Sequence, residues 1–437
     1  MTDIAALTSE DLLEQWKDLS AAERIQTFNA IPRDQADDLF LDLSSHEQLE
    51  LLLGLREGER RIWLRLLPPD DAADLIQLAP ESTRPSFFQQ LDEIAQREVN
   101  ALLAFKEDAA GGLMNPRFAR LRPEMTVDEA ISYLRRQAGQ VETIYYAYAV
   151  DETQHLLGVV SFRDLFSADR TKAVRQIMRT QFVATNGAMD QESVVRLFTT
   201  HHLLAIPVLD VEGRMQGIVT VDDIVDVVQE EASEDIQKVG GMEALDAPYL
   251  LTGFWSMVKK RAGWLAILFL GEMLTATAMG YYEHEIARAV VLALFIPLII
   301  SSGGNSGSQA TTLVIRAMAV GEVQLKDWLR VLRREVFTGL VLGSVLAAIG
   351  LARILLWQAI WKPYGEHFLV IGITVALSLI GVVLFGTIAG STLPFILRRL
   401  GLDPASASAP FVATLVDVTG LVIYFTVASM ILRGTLL

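Results

Sequence analysis

Five apolar runs in the later part of this 437-residue chain set the strongest limit on what it can fold into. They fall at about 262–281, 286–315, 335–359, 368–397 and 410–432. Each reaches the roughly 20 residues with which a helix crosses about 30 Å of hydrocarbon. The second and fourth exceed that length, so tilting, bending or extension beyond the bilayer is expected. Basic residues lie in alternate connections: Lys259, Lys260 and Arg261 before the first span, Arg316, Lys326, Arg330, Arg333 and Arg334 between the second and third, and Arg398 and Arg399 between the fourth and fifth. The other connections hold Glu283, His284 and Glu285, then Lys362 and Glu366. Basic loops stay inside, so five crossings place the N-terminus in the cytoplasm and the C-terminus outside.

The remainder of the chain has the opposite character. Of the net charge of −16, residues 1–250 contribute −21, from 44 acids and 23 bases, and residues 251–437 contribute +5, from 9 and 14. An acidic soluble half argues against nucleic acid as a partner. There is no cysteine, which excludes disulfides, thiolate metal sites and a cysteine nucleophile. The segment MTDIAALTSEDLLEQW has no basic stretch followed by an apolar one, so it does not read as a signal peptide and the acidic half is expected on the cytosolic side. No nucleophile–base pair, phosphate-cradling glycine loop or HExxH pattern suggests an enzyme.

Polar residues inside the spans carry the functional signal. Asp417 lies within PFVATLVDVTGLVIYF, where a carboxylate costs about 2.5–3.5 kcal/mol on insertion scales unless it faces water or a cation. It is either an acid that hydrogen-bonds two helices together or a cation ligand on a conduction path. One carboxylate is too little for a divalent ion, but a two-fold dimer would bring two Asp417 residues to one axis. Mg²⁺ sheds water reluctantly and could bind such a pair with its hydration shell largely kept. The second span contains IPLIISSGGNSGSQATTLVIR, with Pro297 interrupting helical bonding. Gly303, Gly304, Asn305 and Gln309, with Thr414 near Asp417, are pore-lining candidates. Irregular polar backbone lining a cavity and tight helix packing through small residues both fit this segment. Glu272, a second intramembrane acid, fits either a pore ligand or a partner for a base such as Arg288.

The acidic half repeats twice. IPRDQADDLF at 31–40 aligns with LPPDDAADLI at 67–76, an offset of 36, which suggests helical pairs stacked into a small α-superhelix. YAVDETQHLLGVVSFRDLF aligns with PVLDVEGRMQGIVTVDDIV at an offset of 59, each copy reading as strand, turn, strand and acidic helix start. This second repeat looks like a tandem pair of cystathionine-β-synthase (CBS) domains, regulatory modules that often bind adenine nucleotides. Beyond it, residues 221–248 hold nine acids against one base, Lys238. Asp223, Asp226, Glu230 and Glu234 share one helix face, where like charges repel unless divalent cations relieve them.

The whole arrangement resembles the MgtE family of magnesium channels. The most specific motifs are GGNSGSQ at 303–309 and DPASASAPFVATLVDVTGLVIYF from Asp403, supported by LPPDDAADL and by AGGLMNP at 110–116. The resemblance implies a multidomain fold of α, α/β and membrane-α parts: an acidic α-superhelical N domain at 1–112, CBS domains at 113–176 and 177–235, a connecting (plug) helix at 236–260 and a five-helix transmembrane domain at 261–437. It implies a homodimer in a bacterial inner membrane that conducts Mg²⁺ inward, with Asp417 as the pore ligand, and it leaves Co²⁺, Mn²⁺ and ATP at the CBS pair open. Cytosolic Mg²⁺ sensing is implied at Asp70 and Asp74, at Asp190 and Glu192, at Asp223 and Asp226, and at Glu231, Glu234 and Asp235. Ser308 stands where similar sequences have Asn, and His202 where a relative has an acid. An ion-coupled carrier and a membrane-anchored nucleotide sensor are the alternatives, although a mere anchor needs neither Asp417 nor GGNSGSQ.

Overall fold

The structure, a computed structural model, describes residues 9–16, 18–433, 435 and 436, and Leu437, expected outside, is not among the described residues. It divides into two units, Met1–Glu231 and Ala232–Leu437.

The first unit opens with eight helices: α1 (Ser9–Trp16), α2 (Ala21–Ala30), α3 (Arg33–Asp42), α4 (Ser45–Gly54), α5 (Glu57–Leu64), α6 (Pro69–Leu78), α7 (Arg84–Gln90) and α8 (Glu93–Leu102). The 36-residue period is visible in their starts: α2, α5 and α8 are evenly spaced by it, and α3 and α6 match residue for residue. Pro32 and Pro68 occupy the N-caps of α3 and α6, with Asp34 and Asp70 in the first turns. Proline has its helical φ preset there, and the acids meet the positive end of the dipole. Phe28, Phe40 and Trp63 fill the centre, the Trp63 ring lying 4.6 Å from Phe28 and 5.3 Å from Phe40 between centroids.

The 59-residue repeat is a pair of small α/β bodies. The first contains β1 (Arg120–Leu121), α9 (Val127–Gln137), β2 (Tyr146–Val150), β3 (Leu156–Ser161), α10 (Phe162–Ser167) and α11 (Val174–Ile177). The second contains β4 (Thr185–Asn186), α12 (Gln191–His201), β5 (Ala205–Leu209) and β6 (Met215–Thr220), which runs straight into α13 (Val221–Val239). Each sheet has the order of its strands in sequence, one parallel and one antiparallel pairing, and a register shift at the same place, Ala149/Val150 in one and Val208/Leu209 in the other.

The connection to the membrane differs from expectation. The helix expected over 236–260 is helical only at its ends, because α13 stops at Val239 and α14 (Phe254–Tyr281) begins after a non-helical stretch at 240–253. Gly241 takes φ +76°, a left-handed conformation that ends a helix at little cost only for glycine. The helical part of the connection is α13 itself.

The second unit continues with α15 (Glu283–Arg288), α16 (Val290–Ala293), α17 (Ile296–Ala319), α18 (Trp328–Trp361), α19 (Phe368–Arg399) and α20 (Ala409–Leu432). Among the described residues, five segments are long and apolar enough to cross a membrane: Phe254–Tyr281, Val290–Ala319, Leu325–Trp361, Gly365–Arg399 and Ala409–Leu432. Glu283–Glu285, expected in a loop, start the short helix α15, and the second span breaks before Ile296. Pro297 sits in the first turn of α17, where its missing N–H interrupts nothing. GGNSGSQ is regular α-helix, so the small-residue alternative describes its backbone. Gly303 and Gly307 press against Gly386 and Gly390 of α19: a Cβ on Gly307 would lie 2.9 Å from the Gly386 carbonyl oxygen, and one on Gly386 would strike that of Gly303. The Thr311 hydroxyl donates to the Gly390 carbonyl at 2.9 Å. Such glycine seams let membrane helices approach where no hydrophobic effect drives them together. Around α19 pack α17, α18 and α20, while α14 packs on α20.

Candidate metal centres

Two sets of carboxylates stand out, one in each unit. In the first unit the centre is Asp70, only 7% exposed in the first turn of α6. Its Oδ1 accepts a hydrogen bond from Asn115 Nδ2 at 3.1 Å, and the same amide donates to Glu142 Oε2 at 2.7 Å. Asn115 is fully buried and pinned by paired backbone bonds with Ile218 of β6, at 2.7 and 2.9 Å. One residue thus ties the helical domain and the first CBS copy through its side chain and the second copy through its backbone. Asn115 lies in the AGGLMNP segment, and its bridging role has no local signal.

Further acids crowd this point. Burial, and then the charges of Asp223, Asp71 and Glu142, hold Asp70 well above the usual carboxylate range. Asp74, one turn on, is raised by burial and then by Glu107, Asp71, Asp223 and Glu230. Burial first, then Asp222 and Asp226, pushes Asp71 up to about 6. Asp223 is pushed up to about 7, chiefly by burial, although it accepts from the Thr220 hydroxyl at 2.7 Å and the Thr220 N–H at 3.3 Å. Burial and neighbouring acids also raise Glu142 and Glu230. These groups repel one another, and that repulsion is what a divalent cation would relieve. Among the described residues, however, no three or more His, Asp or Glu side chains converge on one point as a metal would require.

The other residues implied for sensing are dispersed. Asp190 caps α12, accepting from the Glu192 N–H at 3.1 Å, and Glu192 pairs with Arg196 at 3.1 Å. Glu231 accepts from Gln191 Nε2 at 2.7 Å, and Glu234 is ion-paired with Lys238. Asp226 is exposed and Asp235 half-buried on α13. His201 and His202 are exposed, so neither is a packing residue; His202 ends α12 with φ +51°, its N–H bonded to the Phe198 carbonyl at 2.8 Å.

In the second unit Asp417 is half-buried on α20, and its carboxyl lies near that of Glu272 on α14. The two helices hold this register through Trp264 Nε1, which donates to Ser408 Oγ at 3.1 Å, and through Gly271, whose missing Cβ makes room for the Thr414 methyl. Glu272 therefore faces Asp417, not Arg288. Thr414 donates its hydroxyl back to the Pro410 carbonyl at 3.1 Å. Gly303 and Gly304 are buried, with Gly304 beside Ala413 of α20, whereas Asn305 and Gln309 are exposed on α17. Ser308 donates to the Ala409 carbonyl at 3.1 Å and so joins α17 to the start of α20.

A family model described as divalent cation transporter matches residues 296–427, one described as MgtE intracellular N domain matches 7–108, and the CBS domain matches 110–170 and 174–230. The chain belongs to the MgtE family. It is 40% identical over 429 residues to the magnesium transporter MgtE of Thermus thermophilus, covering 97% of this chain and 93% of that protein. With the magnesium transporter MgtE of Enterococcus faecalis it shares 32% identity over 448 residues, 94% of this chain and 96% of that one. A crystal structure of the cytosolic domain of the Mg²⁺ channel MgtE in complex with ATP is 39% identical, covers 51% of this chain and 92% of that one, and superposes with a TM-score of 0.49. As an MgtE-family member with five apolar helices, the chain is a multi-pass membrane protein.

Proposed function

We propose that this MgtE-family protein is a channel that admits Mg²⁺ to the bacterial cytoplasm across the inner membrane and closes when cytosolic Mg²⁺ rises. The observation that carries the reading is the carboxyl of Asp417, half-buried in an apolar span in a family of divalent cation transporters. An acid at that depth is costly unless it serves an ion. A homodimer, with the N-terminus cytoplasmic and the C-terminus outside, would bring two such groups together and match a divalent charge. Oxygen ligands favour hard cations, which leaves Co²⁺ and Mn²⁺ as competitors.

Closure follows from the acids of the first unit and of α13. At low Mg²⁺ their repulsion loosens the arrangement; at high Mg²⁺ ions screen or bridge them and favour the compact, closed state. The ion acts only through its differential affinity for the two states. The test is Mg²⁺ flux into proteoliposomes, with Mg²⁺ titrated on the cytosolic face. Flux should continue at raised Mg²⁺ when Glu231, Glu234 and Asp235 are all replaced by Ala, and unchanged inhibition would sink the gating scheme.

A second reading has one observation in its favour. Two acids side by side within the spans, Glu272 and Asp417, are a pair that a proton- or sodium-coupled carrier would use. Flux that persists without any proton or sodium gradient separates the channel from the carrier.

A cavity of about 380 Å³ between the CBS copies is lined by Glu142, Thr143, Tyr145, Leu204, Thr220 and Asp222, among others, and is large enough for a nucleotide. ATP is the ligand we assign to it; equilibrium dialysis showing no ATP binding would remove the assignment.

A further inference from the structure

Lys238 is the one base among nine acids in residues 221–248, and it lies where α13 meets the membrane unit. Its ammonium contacts Glu234, one turn back on the same helix, and reaches Asp403 Oδ2 at 2.6 Å, 165 residues away in sequence. Asp403 is fastened in turn. Its Oδ1 accepts the Ala405 N–H at 2.8 Å and starts the short turn that leads to Ser408, the N-cap of α20. Apolar contact reinforces the junction, since Val239 packs on Ile315, Ala405 and Ala407. Gly241 fits so closely that a Cβ there would lie 2.9 Å from the Trp264 ring and 3.1 Å from Pro410.

We propose that Lys238 is a positioning residue that couples the end of α13 to the start of α20 through Asp403, so that a displacement of α13 is transmitted to Asp417. This rests on the reading of Asp417 as the pore group and of α13 as the gating element. From Ser408 to Asp417 runs unbroken helix about 14 Å long, stiff enough to carry a shift at its first turn to the carboxyl. Lys238 is 27% exposed, so water screens the contact only partly. Burial opposes its charge, but the hydrogen bonds to Asp403 and Glu234 outweigh this and hold the lysine above its usual range. The ion pair is also what a purely structural tie would use, so its worth must be read from regulation and not from folding.

The experiment compares full-length proteins in proteoliposomes, with Mg²⁺ flux recorded while Mg²⁺ is titrated on the face bearing the N-terminal unit. Lys238→Met should retain flux at low Mg²⁺ and raise the half-inhibiting concentration at least about fivefold, the low end of allosteric couplings. Asp403→Asn, which keeps the acceptor for Ala405, should do the same. The double variant should shift no further than the larger single, because both remove one link. Lys238→Arg should return the curve toward the parent. Unchanged inhibition in Lys238→Met, single shifts that multiply in the double variant, or an Arg variant that behaves like Met would each overturn the proposal. A parent protein that Mg²⁺ does not inhibit overturns the gating scheme and this proposal together, whereas flux that survives Asp417→Asn with Lys238 effects intact removes Asp417 from the pore and overturns transmission to it.

Discussion

The acids of the two units are the same residue types under different constraints. In Met1–Glu231, Asp70, Asp71, Asp74, Asp223, Glu142 and Glu230 lie close enough to raise one another, with burial the main cause at each. In Ala232–Leu437, Glu234 and Asp403 are paired with Lys238 and Asp246 with Lys260, and Asp417 alone of these lies beside another acid, Glu272. Unmatched carboxylates make a surface whose energy depends on the ion content of the solution. Paired ones make struts whose energy depends on it less. On the proposed function, the crowded set is suited to sensing the ion and the paired set to holding its path in place.

That contrast can be broken in four ways. The largest effect is expected from Asp417→Asn, which removes the charge that the proposed pore offers to the ion. Flux should fall at least about 30-fold, and an unaltered rate would mean that the membrane acids are only structural. Gly307→Val tests whether the membrane unit is held by its glycine seam. With backbone oxygens of α19 in the way, overpacking should cost about 1–3 kcal/mol or more, read as a lower melting temperature in detergent. Asn115→Ala leaves Asp70 and Glu142 without their shared donor. Hydrogen exchange on the full-length protein should show α6 and β6 less protected by about 1–3 kcal/mol. The smallest effect concerns pH. The folded state holds the protons of Asp71 and Asp223 more tightly than the unfolded chain, since their values rise from 3.8 to about 6 and about 7. The resulting stability is complete below about pH 4 and is lost as pH climbs through 6 and 7. Lowering the pH from 8 to 5 without Mg²⁺ should therefore protect α6 by about 1–2 kcal/mol, allowing for solvent screening. The gain should shrink when Mg²⁺ is present, and equal gains with and without Mg²⁺ would show that these acids are not where the ion acts.

Local periodicity reached far into the fold. The 36-residue spacing of α2, α5 and α8, the twin sheets with matching register shifts and the five spans all follow from patterns repeated within a few turns or strands. The places where the reading went astray are those where a neighbour distant in sequence decides. The stretch 240–253, which the resemblance implies is helix, is not helical, and Gly241 in it is held against Trp264 and Pro410. Glu272 read either as a pore ligand or as a partner for a base such as Arg288, and the α14–α20 register sets it near Asp417. Asn115 gave no sign of bridging Asp70 and Glu142.

Sequence alone determined the classes of part: an acidic soluble half, two repeats and five membrane spans with an acid in the last. These depend on hydrophobic period and charge, which act along the chain. Only the tertiary structure decided which acids crowd together, which are paired and which glycines meet. Those outcomes depend on side chains 27 to 165 residues apart, from Asn115 with Glu142 to Lys238 with Asp403, and packing alone brings such groups within bonding distance.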